Sequence, residues 1–290
     1  MATTKTILVT GANGQVGNEF RVLTDANPQY NFLFADKDEL AIDNIEAVKN
    51  YFSNNTINYC INCAAYTAVD KAEVEKENAF LINADAVGNL AAVCKKYSTQ
   101  LIHISTDYVF DGTNKRPYKE TDATNPMGIY GASKLKGEEL ALQNDPSVII
   151  IRTSWVYSSF GSNFVKTMLR LMKEKENINV VNDQLGCPTY AADLAQCILK
   201  IIEKDPAFHI PYSIFNYSNE GVINWYEFAV AIKELSNSNC IVNPIPTSQY
   251  PTPAKRPQYS VLDTERIKEV FAVSIPAWRE SLEKCLGLMG

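Results

Sequence analysis

The sequence predicts an α/β fold in which a doubly wound parallel sheet is joined to a smaller, interleaved α/β domain. Up to residue 153, strand-like runs alternate with helix-like segments, and this alternation is typical of a parallel sheet covered by helices. The runs are apolar at nearly every position, as expected for strands buried on both faces. After residue 153 the pattern loosens. We therefore expect residues 1–153 to form the sheet domain and residues 154–290 to form mainly the smaller domain, with later segments returning to the sheet.

Each strand-like run of the first half is followed by a helix-like segment. Strands are predicted at residues 6–10, 31–36, 57–65, 100–106 and 147–153, and helices at residues 13–24, 44–54, 76–97 and from about residue 125. In the second half, helices are predicted at 160–174, 191–203, 224–236 and 276–287, and short strands at 178–181, 213–217 and 241–245. The proline-rich residues 243–257 should lack regular structure, because proline fixes φ and has no N–H to donate.

Composition and charge exclude several classes of protein. The 290 residues carry a formal net charge of −6, and an acidic chain without a long basic run is a poor candidate for binding nucleic acid. An apolar run of about 18 residues, which a transmembrane helix would need, is missing. The N-terminal residues lead directly into a strand-like segment and do not resemble a signal peptide. The expected location is therefore the cytoplasm.

The cysteines and histidines do not form a metal-binding pattern. Cys60 and Cys63 form a C-x-x-C motif, but they lie in a strand-like run where residues three apart point to opposite faces. The chain has two histidines, His103 and His209, and His103 lies within an apolar strand. We therefore expect reduced thiols and no metal site.

Three glycines follow the first predicted strand and precede the first predicted helix. Gly11, Gly14 and Gly17 stand in TILVTGANGQVG, the context that a dinucleotide-binding loop of the Rossmann type requires. Such glycines let the backbone approach a pyrophosphate, and the helix N-terminus offers it free N–H groups. Asp36 ends the second strand, where a carboxylate favours NAD, whereas Lys37 could accommodate the additional phosphate of NADP. The sequence leaves the choice between NADH and NADPH open.

A hydroxyl, a phenol and an ammonium group should meet near this loop. Thr106, Asp107 and Tyr108 follow the fourth strand, and ligands of open α/β sheets bind beyond the carboxyl ends of the strands. Tyr130 and Lys134 lie one helical turn apart on the next helix. The neighbouring cation is expected to lower the pKa of the phenol and prepare it for proton transfer. This set suits the reduction of a carbonyl group, with Tyr130 as the proton donor.

Longer segments resemble the dTDP-4-dehydrorhamnose reductase family, within the extended short-chain dehydrogenase/reductase superfamily. They run from end to end of the chain and read NCAAYTAVDKAE, STDYVFDG, NPMGIYGASKLKGE, RTSWVYSSFGSNFV, DQLGCPTYAADLA and KRPQYSVLDT. The resemblance implies NAD(P)H-dependent reduction of the C4 ketone of dTDP-4-dehydro-6-deoxy-L-mannose, which gives dTDP-L-rhamnose.

The resemblance also implies roles for individual residues. The implied catalytic residues are Thr106, Tyr130 and Lys134. The implied cofactor-binding residues are Gly11, Asn13, Gly14, Gln15, Val16, Gly17, Asp36, Lys37, Ile42, Ala64, Ala65, Tyr66, Thr67, Tyr130 and Lys134. The implied substrate-binding residues are Thr106, Asp107, Tyr108, Trp155 and Asn163.

The sequence departs from the family pattern at two places. Ala41 and Ile42 stand where an acidic residue followed by isoleucine is common, so the backbone of Ile42, with Asp43 close by, would face the adenine. Tyr259 stands where an asparagine is common, in a segment expected to border the sugar nucleotide. The glutamates that hold magnesium at a dimer interface in some relatives have no match, so we expect neither that metal nor that dimer. The chain is expected to be a monomer or a homodimer.

Two other functions remain open. One is a reductase or epimerase acting on another nucleotide-linked 4-keto sugar, which would use the same catalytic residues. The other is a dinucleotide-binding regulatory subunit without activity, although such a chain often lacks the tyrosine or the lysine.

Overall fold

A computed structural model describes residues 4–204 and 213–289 of the chain, so His209 lies outside the described residues. Its strands are β1 (Lys5–Thr10), β2 (Tyr30–Ala35), β3 (Tyr59–Asn62), β4 (Gln100–Thr106), β5 (Ile149–Thr153), β6 (Val156–Tyr157), β7 (Asn177–Val181), β8 (Leu185–Gly186), β9 (Thr189–Tyr190), β10 (Ile214–Tyr217), β11 (Ile223–Asn224) and β12 (Ile241–Ile245).

The helices include the predicted ones and two short ones, α3 (Val69–Ala72) and α10 (Glu265–Phe271), that were not predicted. They are α1 (Gln15–Leu23), α2 (Ile45–Asn54), α3 (Val69–Ala72), α4 (Lys76–Phe80), α5 (Ala86–Lys96), α6 (Ile129–Asn144), α7 (Phe164–Glu174), α8 (Ala191–Glu203), α9 (Trp225–Leu235), α10 (Glu265–Phe271) and α11 (Trp278–Gly287). A π-helical segment, Leu81–Asp85, joins α4 to α5, and short 3₁₀ turns lie at Asp107–Val109 and Thr247–Gln249. Within the described residues, no helix is long and apolar enough to span a membrane.

The predicted parallel sheet is confirmed. Six parallel strands lie in the order β10-β5-β4-β3-β1-β2. The chain runs from β1 outward to β2 and then returns to place β3 on the other side of β1. This reversal makes a crevice between the carboxyl ends of β1 and β3, the place where open α/β sheets bind ligands.

Alternate side chains of the central strands fill two separate cores. Ile7 and Val9 of β1 pack toward α1, α8 and α10, whereas Leu8 between them packs toward α2 and α5. Helices therefore cover both faces of the sheet, which explains why its strands are apolar at nearly every position.

The second half of the chain contributes to both parts of the molecule. Strand β10 is an edge of the large sheet, and α8 packs beside α1 on one sheet face. Helices α7, α9 and α11 surround a third core with β7 and β12, and Phe228 lies at its centre. This arrangement agrees with later segments returning to the sheet, while the boundary at residue 153 stays a prediction.

The helical stretch predicted over residues 76–97 is confirmed, since α4, the π-helical segment and α5 run without a break from Lys76 to Lys96. One local prediction was wrong. The proline-rich stretch is partly regular, because β12 continues through Pro244 to Ile245 and a 3₁₀ turn follows. Strand β12 pairs only with β7 in a two-stranded sheet, so a proline that cannot donate a hydrogen bond is tolerated there.

Candidate active site

A cleft of about 860 Å³ opens at the crevice between β1 and β3. It brings together most of the residues predicted from the sequence. Those that line it are Gly11, Gly14, Gln15, Val16, Asp36, Lys37, Ile42, Ala64, Ala65, Thr67, Thr106, Asp107, Tyr108, Tyr130, Lys134 and Trp155. Four of the predicted residues do not line the cleft: Asn13, Gly17, Tyr66 and Asn163.

The glycine loop is built for close approach of backbone to a ligand. Gly11 has φ of 60°, and a Cβ atom there would lie 2.6 Å from the backbone nitrogen of Ala64. A Cβ atom on Gly17 would lie 2.6 Å from the backbone of Ala12, so this glycine lets α1 start tightly against the loop. Gly14 precedes α1 and provides no side-chain cap, which leaves the first N–H groups of the helix available to an anion. This geometry fits a pyrophosphate.

The two residues that bear on cofactor choice both line the cleft. One carboxylate oxygen of Asp36 accepts a hydrogen bond of 2.8 Å from the Asn13 side chain. The backbone N–H of Asp36 donates to Glu39 at 2.9 Å, which fixes the turn after β2. Lys37 lies next to this carboxylate, so the rim of the cleft presents both charges.

Asn83 holds the loop after β3 and was missed by the sequence analysis. Its side-chain oxygen accepts from the backbone N–H of Tyr66 at 2.8 Å, and its amide nitrogen donates to the Tyr66 carbonyl at 3.0 Å. The same nitrogen lies 3.0 Å from Ser133 Oγ on α6. Because Asn83 belongs to the π-helical segment, this segment ties the cofactor loop to the helix that carries Tyr130. The sequence signal for this role is a polar asparagine within a mostly apolar helical segment.

Thr106, Tyr130 and Tyr108 meet at the end of β4. Thr106 Oγ1 donates to Asp107 Oδ1 at 3.0 Å and accepts from the Tyr108 N–H at 3.2 Å. The rings of Tyr108 and Tyr130 pack edge to face, with centroids 5.5 Å apart. The hydroxyl, the carboxyl and the two phenols therefore share one wall of the cleft.

The expected lowering of the Tyr130 pKa is not found. Burial raises the pKa of Tyr130 to about 12, and its hydrogen bond with Thr106 opposes this rise. Lys134 Nζ is directed to β4, where it donates to the Ile104 carbonyl at 2.7 Å and lies 3.3 Å from His103 Nε2. Burial lowers the pKa of Lys134 to about 8. The pKa of Tyr130 is not lowered because the Lys134 side chain is hydrogen-bonded to β4 beneath the cleft and not to the phenol.

Asp107 is buried with one oxygen unsatisfied. Its side chain is 2% exposed, and Oδ2 has no hydrogen-bond partner among the described residues. Burial raises the pKa of this carboxyl to about 7, against the hydrogen bond from Thr106. A hydroxyl group of a ligand in the cleft could satisfy the free oxygen.

Trp155 forms an apolar wall of the cleft. It lies two residues after β5 with φ of 47°, and its ring stacks on Trp225 at 3.6 Å between centroids. A Cβ atom on Gly186 would lie 2.6 Å from this ring, so the glycine makes room for it.

One predicted substrate contact, Asn163, and the unusual Tyr259 lie outside the lining of the cleft. Asn163 caps α7, and its amide nitrogen donates to Gln15 Oε1 at 3.0 Å and to the Ser158 carbonyl at 2.7 Å. The ring of Tyr259 lies 6.3 Å from the Tyr118 ring, between centroids. Tyr259 lines neither this cleft nor the second cavity described below. Asn163 therefore supports the glycine loop through Gln15, and Tyr259 supports a small core.

A second cavity of about 720 Å³ adjoins the cleft and shares Tyr108 with it. It contains aromatic rings and cations, among them Trp225, Tyr250 and Arg256. Arg256 Nη2 donates to Asp70 at 2.8 Å, while the buried Nη1 has no partner among the described residues. The sequence analysis assigned no role to these residues, although the quoted segments NCAAYTAVDKAE and KRPQYSVLDT contain Asp70 and Arg256.

Comparison with known proteins agrees with this geometry. The sequence model described as the RmlD substrate binding domain matches residues 5–289. A curated dTDP-4-dehydrorhamnose reductase from Aggregatibacter actinomycetemcomitans is 41% identical over 285 residues, which covers 96% of this chain and 97% of the relative.

Solved structures of two such proteins superpose on nearly the whole chain. A dTDP-4-dehydrorhamnose reductase from Clostridium acetobutylicum has a TM-score of 0.92 and 40% identity, covering 98% of this chain and 99% of its own. One from Bacillus anthracis, solved in complex with NADP, has a TM-score of 0.93 and 38% identity, covering 99% of this chain and 100% of its own. The chain therefore belongs to the dTDP-4-dehydrorhamnose reductase family.

Proposed function

We propose that this protein catalyses the NADPH-dependent reduction of the C4 ketone of dTDP-4-dehydro-6-deoxy-L-mannose to dTDP-L-rhamnose. The observation that carries the proposal is the convergence of a pyrophosphate-binding glycine loop with Thr106, Tyr130 and Lys134 in one cleft. Full-length similarity to dTDP-4-dehydrorhamnose reductases supports the sugar nucleotide as substrate.

Thr106, Tyr130 and Lys134 each have a separate role in the proposed carbonyl reduction. The reduced nicotinamide of a cofactor held by the glycine loop would supply the hydride that C4 of the sugar receives. Tyr130 donates its proton to the oxygen on which negative charge develops, and Thr106 hydrogen-bonds the same oxygen and orients it. Lys134 stabilises the phenolate that remains and holds the nicotinamide ribose. These roles need the Lys134 side chain to turn from the Ile104 carbonyl, which it contacts at 2.7 Å, toward the Tyr130 phenol.

The buried carboxyl and the tryptophan wall suit the sugar. Asp107 Oδ2 accepts a hydrogen bond from a sugar hydroxyl, and the indole of Trp155 packs against the apolar face of the ring. The adjoining cavity suits the nucleotide, because stacked aromatic side chains accept a base and Arg256 pairs with a diphosphate. Sequence and geometry thus account for both ends of the substrate.

We assign NADPH as the cofactor, with support from the relative solved with NADP and from Lys37 at the rim of the cleft. Asp36 opposes a 2′-phosphate, although Asn13 already occupies one of its oxygens. We expect Asp36→Ala to raise the ratio of kcat/KM for NADPH to that for NADH. Asp38→Ala, which removes an exposed carboxylate that does not line the cleft, is the matched control, and an unchanged ratio in Asp36→Ala would remove Asp36 from the ribose site.

The decisive experiment follows the absorbance of the reduced nicotinamide while the protein is mixed with NADPH and freshly prepared dTDP-4-dehydro-6-deoxy-L-mannose. NMR of the product must identify dTDP-L-rhamnose. The C4 epimer would indicate a talose-type reductase. Absence of turnover despite measured NADPH binding would overturn the proposal in favour of another nucleotide sugar or of a regulatory role.

We further propose a cytoplasmic monomer or homodimer that requires no metal and binds no nucleic acid. Light scattering at several concentrations gives the oligomeric state, and a higher oligomer would contradict this assignment. An assay in the presence of a chelator tests the metal.

A further inference from the structure

A row of polar side chains crosses the large sheet beneath the cleft. Thr10, Asn62 and His103 are register partners on β1, β3 and β4, so all three point to the same face. Thr10 Oγ1 lies 2.7 Å from Asn62 Oδ1, and Asn62 Nδ2 lies 3.0 Å from His103 Nδ1. The far side of the imidazole, Nε2, lies 3.3 Å from Lys134 Nζ. Each of these side chains is 2% exposed or less.

The hydrogen bonds of this row define the tautomer of His103. The backbone N–H of Ala64 is an obligatory donor and points at Asn62 Oδ1 from 3.2 Å, which identifies that atom as the oxygen. The amide nitrogen of Asn62 therefore faces His103 and can only donate. His103 Nδ1 must accept, so the neutral imidazole carries its hydrogen on Nε2, facing Lys134.

This tautomer has a consequence for the lysine. An ammonium group on Lys134 would face the Nε2–H group donor to donor, whereas an uncharged amine offers a lone pair that accepts it. The amine keeps its own donor for the Ile104 carbonyl. The neighbouring β5 position, Ile150, is apolar and offers no competing partner to the imidazole.

We propose that His103 is a positioning residue that holds Lys134 as an uncharged amine beneath the cleft. The proposal rests on the role given above to Lys134 in the proposed function. When Lys134 binds a proton from the solvent that fills the cleft, the resulting ammonium is turned away from His103, and it finds acceptors on the side of Tyr130. His103 thus helps direct the ammonium to the place where negative charge develops.

The row is not a path for protons to solvent. It ends at Thr10, which is fully buried, so a proton that reached His103 could go no further. The other titratable groups that face Lys134 are Tyr130 and Glu138 on its own helix and Cys63 after β3. Glu138 is paired with Arg152 at 2.6 Å, and burial raises the pKa of the Cys63 thiol.

The tautomer can be observed directly in the unaltered protein. The chain contains two histidines, so long-range proton–nitrogen correlation spectra of protein with isotope-labelled histidine hold two ring systems. The spectrum of His209→Gln assigns them. We expect His103 to remain neutral with hydrogen on Nε2 throughout the range in which an exposed histidine titrates. Hydrogen on Nδ1, or a charged imidazole, would overturn the proposal whether or not the protein is a reductase.

The effect on Lys134 is tested with His103→Leu, which removes the Nε2–H group at similar volume. We expect kcat to fall roughly ten- to a hundredfold with little change in KM, because the reacting groups are misplaced in the bound complex. Without the His103 Nε2–H group, which favours the uncharged amine, Lys134 should keep its proton to higher pH. The alkaline limb of the pH profile of kcat/KM should therefore move to higher pH. Ile150→Val, at the adjoining position of β5, controls for looser packing and should leave that limb in place.

The outcomes separate this proposal from the proposed function. A folded His103→Leu protein with wild-type kcat and an unchanged alkaline limb contradicts the positioning role while leaving the reductase assignment intact. Failure of the unaltered protein to reduce the sugar contradicts the function and leaves the tautomer to be judged from the spectra. If His103→Leu does not fold, the spectra of the unaltered protein alone decide.

Discussion

Tyr130 shows what the sequence can and cannot predict at the scale of one residue. Its identity and its spacing from Lys134 predicted a shared helix and a shared cleft, and both are found. Its pKa was predicted wrongly, because the spacing says nothing about where the lysine ammonium points. The direction of Lys134 depends on His103 and on the Ile104 carbonyl, which belong to a strand far away in sequence.

Tyr130→Phe tests the proposed proton donor. We expect kcat to fall by about a hundredfold to ten-thousandfold, since a general acid acts mainly in the transition state, while NADPH binding stays nearly intact. Initial rates and a fluorescence titration with NADPH provide the two readouts. Tyr51→Phe, a partly buried tyrosine on α2 remote from the cleft, should keep wild-type rates. Retention of most activity in Tyr130→Phe would exclude the mechanism.

Asp107 should make the stability of the protein depend on pH. Burial raises the pKa of its carboxyl from 3.8 in the unfolded chain to about 7, so the folded state binds the proton more tightly. The stabilisation is therefore complete below about pH 4 and is lost as pH rises through about 7, at a cost of a few kcal/mol.

Asp107→Asn removes this titration and keeps an oxygen for the Thr106 hydroxyl. We expect its melting temperature to exceed that of the unaltered protein above pH 7 and to match it near pH 4. Asp122 is a half-buried carboxylate whose pKa is lowered by its hydrogen bonds with Arg116, so Asp122→Asn should instead destabilise the protein above the titration of that group. An equal melting temperature for Asp107→Asn and the unaltered protein at both pH values would show that the Asp107 carboxyl is not desolvated.

At the scale of elements, the strands and helices of the first half could be predicted because apolar periodicity reports burial. The π-helical segment within the 76–97 stretch could not, since apolar spacing does not distinguish one π-helical turn from α-helix. A Cβ atom on Gly137 of α6 would collide with the Asn83 carbonyl, so the π-helical segment and α6 are packed backbone to backbone. This contact sets the position of Tyr130 relative to the loop after β3.

Gly137→Ala should therefore damage both stability and activity. The added methyl group forces α6 away from the π-helical segment, and overpacking of this kind costs about 1–3 kcal/mol. The melting temperature and kcat should both fall. Displacement of Tyr130 would make the fall in kcat the larger of the two effects. Gly287→Ala, where a Cβ atom meets nothing within 4 Å, is the matched control and should behave as the unaltered protein. A stable, fully active Gly137→Ala protein would contradict this account of the contact.

At the scale of the whole molecule, the order of strands follows from the alternation of patterns, but the meeting of the two halves does not. Asn163 and Gln15 are 148 positions apart and share a hydrogen bond of 3.0 Å. Asp70 and Arg256 are 186 positions apart and form an ion pair of 2.8 Å. Such contacts leave no periodic signal, which is why the second cavity escaped prediction although its residues lie in recognised segments.

Arg256→Gln tests whether this second cavity holds the nucleotide. Nη2 of Arg256 is engaged with Asp70, while the buried Nη1 has no partner among the described residues, so an anionic ligand would complete its hydrogen bonding. We expect the KM for the dTDP-sugar and the Kd for dTDP alone to rise by about tenfold or more, as for the loss of a charge-assisted hydrogen bond of about 1.5–3 kcal/mol. The affinity for NADPH should be unchanged, because Arg256 does not line the cleft.

Arg279→Gln provides the control for the loss of a positive charge at the surface. Arg279 pairs with Glu234 at 2.8 Å on an exposed surface and lines neither cavity. Exposed ion pairs of this kind contribute little to stability. Isothermal calorimetry with dTDP measures both variants directly and does not depend on turnover. If Arg256→Gln bound dTDP as tightly as Arg279→Gln, the nucleotide would have to lie elsewhere, and Arg256 would serve only to fasten the proline-rich segment to Asp70.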